Sequence, residues 1–245
     1  MDELIIVGDI HGQIRQLRAL LAEISSLARP LIFVGDYVNR GENSKAVVDF
    51  LLRLESVRRD VTFLCGNHDW AFLQYIKFGA FDRLALLGGL QTLGSYLPGG
   101  ASGDLRGMLL RRMPRSHVEF FKRLRTYYES DALVCSHAGV PAGFPGERSF
   151  GELVLGSHPE LFHAHSQAAK LNICGHYPQK DLRPYHKADF ICLDTGCGTL
   201  PDGRLTALLL PEMVFLQVNA LGGIAWLNGR PSCAIPEDSG KIASV

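Results

Sequence analysis

Apolar positions in the first third of the chain follow two periods, and the periods alternate. Leu4–Val7, Leu31–Val34 and Val61–Cys65 are short unbroken apolar runs. Between them, Gln13–Ile24 sets Ile14, Leu17, Leu20, Leu21 and Ile24 at helical spacing. Ser44–Leu54 does the same with Val47, Val48, Leu51, Leu52 and Leu54, and a third helix is predicted over Trp70–Phe78. Unbroken apolar strands have both faces covered, and strand–helix–strand alternation places them in a parallel sheet beneath helices.

The pattern then changes. Phe81–Glu129 carries no strand signal and is punctuated by Gly88-Gly89, Pro98-Gly99-Gly100 and Gly103. Helices are predicted at Leu105–Met113 and Ser116–Leu124. Strand runs return at Ala132–Cys135, Leu171–Cys174, Phe190–Leu193, Leu205–Leu210 and Val214–Val218. The last two flank Pro211-Glu212, a turn between paired strands. These runs predict a second sheet, mixed or antiparallel, behind the first. Residues 1–230 read as one domain with a helical insertion at 81–129, and the polar residues 231–245 as a loose tail.

Composition narrows the class. At 47% hydrophobic and 20% charged, the 245 residues are not those of a disordered chain. Twenty-five basic residues balance twenty-five acidic ones, which argues against a dedicated nucleic-acid binder. No run approaches the roughly 18 apolar residues of a spanning helix, which argues against a membrane protein. The first strand begins almost at once, with no basic leader or cleavage site, so the chain reads as cytoplasmic. Cys65, Cys135, Cys174, Cys192, Cys197 and Cys233 form no CxxC pair and read as buried hydrophobes rather than a disulfide framework. Asp104–Arg125 holds seven Lys or Arg against two acidic residues, either a solvated helical face or a surface for an acidic substrate.

Five strand ends share one feature: a small residue followed by metal-capable side chains. They are Gly8-Asp9-Ile10-His11-Gly12, Gly35-Asp36-Tyr37-Val38-Asn39-Arg40-Gly41, Gly66-Asn67-His68-Asp69, Ser136-His137-Ala138-Gly139 and Gly175-His176. Open α/β sheets bind ligands at the carboxyl ends of their strands. Carboxylate, imidazole and amide without thiolate suit Mn(II), Fe or Zn rather than a structural zinc site. Two carboxylates, an amide and three histidines exceed the needs of one four-coordinate ion, so two ions sharing a carboxylate are expected. Each motif alone also fits a capping turn or a hydrogen-bonded structural histidine; the ordered set does not.

The set resembles the calcineurin-like metallophosphoesterases, and more narrowly their phosphoprotein-phosphatase branch, including bacterial and phage members and the symmetrical dinucleoside tetraphosphatases. The family pattern is GDxHG, GDxxDRG, GNHE or GNHD, HAG or HGG, and GH. Gly88–Tyr96 and Asp194-Thr195-Gly196 also resemble segments of the bacterial members. The resemblance implies an α/β fold of two packed mixed β-sheets flanked by helices, a four-layer α/β/β/α sandwich. It implies that Asp9, His11 and Asp36 hold one divalent ion and that Asp36, Asn67, His137 and His176 hold the second. Mn is the first expectation, with Fe, Zn, Ni or Co as alternatives. A metal-bridging hydroxide would attack phosphorus, Arg40 and Asn67 would bind phosphate oxygens, and His68 would protonate the leaving oxygen. The implied substrate is a phosphorylated protein carrying phosphoserine or phosphothreonine, or a small phosphate ester. A dinucleoside polyphosphate is the alternative, and a weakened metal-binding regulator the rival from outside enzymes.

The sequence departs from the pattern twice. Asn39 stands where the family has an aspartate that orients the histidine acid, so it can hydrogen-bond but adds no charge. Upstream of His176, Leu153–Leu161 lacks the arginine that serves bacterial members as a second phosphate clamp. His158 and Arg148 are the nearby substitutes, with His158 read first as a solvated loop residue. His117, His163, His165 and His186 match no motif and read as surface polar residues.

Overall fold

The computed structural model describes residues 2–100, 103–141, 149–163 and 170–228. It opens with β1 (Leu4–Val7), α1 (Ile14–Glu23), β2 (Leu31–Phe33), α2 (Ser44–Val57), β3 (Val61–Phe63) and α3 (Asn67–Phe78). The parallel pairs β1–β2 and β2–β3 are in register at Ile5 with Leu31 and Leu31 with Val61. Four short helices follow: α4 (Phe81–Leu86), α5 (Gly89–Tyr96), α6 (Leu105–Arg112) and α7 (Arg115–Lys122). The strands β4 (Tyr127–Glu129) and β5 (Leu133–Ser136) come next. Then come a wide helical turn at Gly151–Leu155, α8 (Glu160–His163), β6 (Leu171–Cys174), β7 (Tyr185–Lys187) and β8 (Phe190–Cys192). The chain closes with β9 (Leu205–Leu210), β10 (Val214–Val218) and β11 (Ile224–Asn228).

Two mixed sheets result, ordered β11-β10-β9-β1-β2-β3 and β4-β5-β6-β8-β7. The expected two-sheet α/β architecture is present, with one reassignment. The runs at 205–210 and 214–218 belong to the first sheet, because β9 pairs antiparallel with β1, Val7 opposite Ala207. Apolar content cannot reveal this, since β9 is buried on both faces like every central strand. β4 lies inside the stretch that carries no strand signal; its Tyr127 and Glu129 are exposed, as befits an edge strand.

Period-two alternation builds the layers. Ile5, Val7, Leu31, Phe33, Leu205, Ala207 and Leu209 face the helices, in one core with Leu17, Leu20, Val47, Val48 and Leu51. Leu4, Ile6, Ile32, Val34, Leu208 and Leu210 face the other way and meet Leu133, Cys135, Leu171, Ile173 and Ile191 of the second sheet. Both faces of β1 are therefore core, which is why LIIV shows no polar alternation. The second sheet's outer face holds a smaller cluster of Leu161, Cys174, Tyr185, Phe190 and Cys192.

The helices α4–α7 join the helix-side core rather than standing apart. Phe72, Tyr96, Leu109, Phe120 and Phe121 pack with the helix-covered face of the first sheet. Tyr37 joins them edge-on to Phe120 at 5.4 Å, while its hydroxyl donates to the Leu64 carbonyl at 2.8 Å. Cys65, Cys135, Cys174, Cys192 and Cys197 are buried and free; Cys233 lies outside the described residues, as do 231–245. No described helix is long and apolar enough to cross a membrane.

Candidate metal centre

All the candidate ligands follow strands and converge where the two sheets meet. Asp9 and His11 follow β1, Asp36 follows β2, Asn67 opens α3, His137 follows β5 and His176 follows β6. The third helix starts at Asn67 rather than Trp70, so the ligand motif is itself the first helical turn. The glycines before Asn67 and His176 have a steric cause. A Cβ on Gly66 would stand 2.0 Å from Asp36 Oδ1, and one on Gly175 would stand 1.9 Å from Asp9 Oδ1.

The backbone is strained at the same place. Among the described residues seven non-glycine residues have positive φ, and five are candidate site residues: His11 (44°), Asp36 (53°), Asn39 (70°), Arg40 (64°) and His176 (71°). Each such residue costs about 1–3 kcal/mol and persists only where its surroundings hold it. Asp69 supplies much of that hold. Its carboxylate accepts from the backbone N–H groups of Asp36 (2.7 Å), Tyr37 (2.9 Å) and Gly66 (3.0 Å). One buried side chain thus caps α3 and fixes the loop that carries Asp36.

Asp36 is the hub. Its Oδ1 accepts from the His68 backbone N–H at 3.0 Å. Its Oδ2 lies 3.4 Å from His137 Nε2, 3.6 Å from His11 Nε2 and 3.8 Å from His68 Nε2. Two groups of ligand atoms are close enough to hold an ion: His11–Asp36–His68, and Asp9–Asp36–His137. Asp36 is shared, as the resemblance implies, but His68 occupies a position in the first group and Asp9 stands with the second.

The donor set fits a cation. His11 Nδ1 donates to the Val38 carbonyl at 3.0 Å and His137 Nδ1 to the Val34 carbonyl at 3.1 Å. That outer bond fixes the tautomer and turns each Nε2 lone pair inward, as metal-ligating histidines require. His137 Nε2, His176 Nδ1 and Asn67 Oδ1 then lie 3.0–3.2 Å from one another. Three acceptors aimed at one point need a positive species between them.

The electrostatics locate that need. Burial alone would depress His137, but Asp36, with Asp9 and Asp69, raises its pKa to about 10, so a proton occupies the place a cation would take. Burial lowers His11 to about 4 and His176 to about 3, leaving both neutral at pH 7 with free lone pairs. Burial and the charge of Asp194 push Asp9 well above the carboxylate range. Burial opposes the Asp36 charge too, yet the neighbouring imidazoles, His137 first, hold its pKa well below that range. A divalent ion would relieve Asp9 and displace the His137 proton.

Around this centre lie the groups expected to handle substrate. Asn39 Nδ2 donates to His68 Nδ1 at 3.2 Å. The amide is oriented by Thr92, whose hydroxyl donates to Asn39 Oδ1 at 2.9 Å and accepts from the Asn39 backbone N–H at 2.8 Å. Ser44 completes the chain, 3.0 Å from Thr92 Oγ1. Because His68 Nδ1 accepts, its proton sits on Nε2, 3.8 Å from Asp36 Oδ2, and in that tautomer His68 donates rather than binds an ion. Arg40 donates to the Thr199 hydroxyl, and its backbone N–H donates to the Gly88 carbonyl at 3.0 Å. The turn between α4 and α5 therefore rests directly on Arg40, the arginine expected to bind phosphate.

Several sequence readings need correction. His117 is buried, not a surface residue: it bridges the Tyr96 hydroxyl (2.8 Å) and Asp49 (3.0 Å) and pins α7 to α5 and α2. His186 is also buried, on β7. His158 is not a solvated loop residue; it is buried and its Nε2 bonds the Glu152 carbonyl at 3.0 Å, which occupies it away from any phosphate. His163 is exposed as expected, while His165 and Arg148 lie outside the described residues. Asp69, Thr92 and Thr199 had no assigned role. The GNHD motif contained Asp69, but only the three-dimensional loop shows what it binds.

The fold and the largely buried Asp–His–Asn cluster define a two-sheet metallohydrolase. The chain belongs to the calcineurin-like phosphoesterase family, whose profile matches residues 3–192. It is similar to the asymmetrical bis(5'-nucleosyl)-tetraphosphatase PrpE of Anoxybacillus flavithermus, 25% identical over 87% of this chain and 92% of the relative. The PrpE of Bacillus thuringiensis is 27% identical over the same shares, 87% and 92%. Among solved structures, a candidate diadenosine tetraphosphatase superposes with a TM-score of 0.58 at 24% identity, covering 94% of this chain and 95% of that one. A cold-active protein-tyrosine phosphatase of Shewanella also gives 0.58, at 15% identity and 93% and 81% coverage. These two likenesses establish the fold.

Proposed function

We propose that this phosphoesterase hydrolyses dinucleoside polyphosphates, with Asp9, His11, Asp36, Asn67, His137 and His176 as its metal ligands. The observation that carries the hydrolase reading is the convergence of His137 Nε2, His176 Nδ1 and Asn67 Oδ1 beside the shared Asp36 carboxylate. Two divalent ions, Mn(II) by preference, would activate water and neutralise phosphate charge when bound. Arg40, steadied by Thr199, binds the non-bridging oxygens of the phosphoryl group. Asn67 would serve both as a metal ligand through Oδ1 and as a donor to phosphate through its amide N–H. His68 presents Nε2–H to the leaving oxygen, and Asn39 keeps the ring in that tautomer.

The substrate class follows from Asn39 and the relatives together. An amide behind the acid orients it but lends no charge, which handicaps expulsion of an alkoxide. A nucleotide leaving group is already stable as an anion and asks little of His68. The curated relatives named as tetraphosphatases point the same way. Phosphoserine or phosphothreonine in a protein is the second reading, favoured by the phosphatase motif around Arg40. A cytoplasmic setting and a single domain over 1–230 belong to the same proposal.

The test uses metal-stripped protein with and without Mn(II), on an aryl phosphomonoester, a phosphoserine peptide and diadenosine tetraphosphate. Mn-dependent cleavage of the dinucleotide with kcat/KM well above the peptide supports the reading. Preference for the peptide installs the second reading. No turnover despite measured metal binding installs the regulator.

A further inference from the structure

Asp194-Thr195-Gly196 holds none of the candidate metal ligands and opens the loop between β8 and β9. That loop is pinned at its base. Thr195 Oγ1 donates to the Arg204 carbonyl at 2.6 Å, the Arg204 N–H returns to the Thr195 carbonyl at 3.0 Å, and Asp194 Oδ1 accepts from the Gly196 N–H at 2.9 Å. Its tip folds back on itself, because the N–H groups of Thr199 and Leu200 both donate to the Gly196 carbonyl, at 2.9 and 2.8 Å.

The tip lies so close to the other ligand-bearing loops that no side chain fits between them. A Cβ on Gly198 would stand 2.7 Å from His11 Cβ, and one on Gly41 would stand 2.2 Å from the His11 carbonyl oxygen. Gly198 also has a φ of +67°, which glycine alone adopts freely. The loops after β1, β2 and β8 are therefore stacked through His11, Gly41 and Gly198, and the residues beside those two glycines meet: Arg40 Nη1 donates to the Thr199 hydroxyl. Burial first, and the Arg40 charge among the further causes, lowers the His11, His68 and His176 rings, which puts the guanidinium beside all three.

A guanidinium only donates, so Thr199 Oγ1 accepts and keeps its own hydrogen to give. Among the described residues no acceptor takes that hydrogen. Thr199 is half-buried, open to solvent on one side. With Nη1 engaged, Arg40 still has Nε and Nη2, an edge of two parallel N–H donors that suits an oxyanion. A hydroxyl held against the same guanidinium, with no acceptor of its own, is a third donor for that anion.

We propose that Thr199 binds substrate as well as supporting Arg40: its O–H donates to a non-bridging phosphoryl oxygen that Arg40 also binds. This rests on the reading of Arg40 as a phosphate ligand. It supplies a neutral second donor where Leu153–Leu161 brings no second arginine. The Asp194-Thr195-Gly196 segment then has a task, as the anchor of the loop that delivers the hydroxyl.

The probe is inorganic phosphate, titrated calorimetrically into Mn-loaded protein, beside kcat/KM on an aryl phosphomonoester. Thr199→Val keeps the shape without the hydroxyl, and should weaken phosphate about tenfold with a parallel fall in kcat/KM. Thr199→Ser retains the hydroxyl and should stay within about twofold of wild type. The decisive comparison is made in Arg40→Ala protein, where Thr199 has no arginine to support. Direct contact predicts that adding Thr199→Val there still costs about fivefold in phosphate affinity. A residue that acts only through Arg40 costs nothing in that background, and such a result overturns the proposal. Thr199→Ala repeats the comparison without a branched side chain, and thermal unfolding confirms that each variant is folded. Wild-type phosphate affinity in Thr199→Val protein also overturns the contact. If Arg40→Ala binds phosphate as tightly as wild type, the reading of Arg40 falls and this proposal with it. If Arg40→Ala weakens phosphate and Thr199→Val adds nothing to it, only the Thr199 contact falls.

Discussion

The loop Asp36–Arg40 and the helices α4–α7 are joined by hydrogen bonds from Arg40 N–H to Gly88 O and between Asn39 and Thr92, yet they are built on opposite principles. The loop spends backbone strain to aim side chains: three of its five residues have positive φ, and Asp69 holds it with bonds to two of its amides. The helices are unstrained and held by ring packing and by a buried His117. On the proposed reading the first region carries the chemistry, and the second shapes the rim and touches Asn39 and Arg40 but none of the proposed metal ligands. If that division is right, substitutions in the loop should abolish turnover on every substrate, and those in the helices should alter only which substrates are preferred.

The largest effect should come from the hub. Asp36→Asn removes the charge that three imidazoles face and the carboxylate both ligand groups share. Metals supply several kcal/mol of transition-state stabilisation, so kcat on an aryl phosphate should fall by about 10³-fold or more. A loss below tenfold would show that the two ligand groups do not depend on Asp36.

Proton competition tests the same centre more gently. His137 is raised to about 10, so its favourable pairing with Asp36 is complete below the unfolded value and is lost as pH climbs through about 10. A metal must displace that proton. Apparent metal affinity should therefore rise about tenfold per pH unit between about pH 7 and 9, with one proton released per ion at that position. Calorimetric titration in buffers of different ionisation heat measures both. Affinity that is flat with pH would place the ion away from His137.

These residues were legible in the sequence for a physical reason. Each candidate ligand stands just beyond a strand beside a small residue, so Asp9, Asp36, Asn67, His137 and His176 write themselves into contiguous motifs. Residues that act through distant partners leave no such mark. Thr92 reaches Asn39 from 53 positions away, and His117 reaches Asp49 from 68. His117 reads as a surface residue because a polar residue on a short helix signals solvent unless its partners are known. The placement of β9 beside β1 was hidden likewise, since both are apolar throughout.

Asn39→Asp crosses the boundary between the two regions. An aspartate there would favour the protonated form of His68, where the present amide only orients it. Cleavage of alkyl phosphates should improve about tenfold, against a general-acid contribution of about 10²–10⁴ overall, while aryl phosphates should change little. Equal change on both leaving groups would show that Asn39 acts on the binding of phosphate and not through His68.

The smallest predicted effect is the most discriminating. Thr92 belongs to α5 but is the hydroxyl that sets the Asn39 amide, accepting from its N–H and donating to its Oδ1. Thr92→Val keeps the shape and removes both hydrogen bonds to Asn39; a loss of about 1 kcal/mol in the transition state, if the amide then turns, corresponds to roughly a fivefold loss in kcat. Thr92→Ser restores the hydroxyl and should restore the rate. The loss should be larger on alkyl than on aryl phosphates, because only the former lean on His68. If Thr92→Val instead lowers thermal stability and leaves that ratio untouched, α5 supports the loop without tuning it, and the division between chemistry and rim is cleaner than the hydrogen bonds imply.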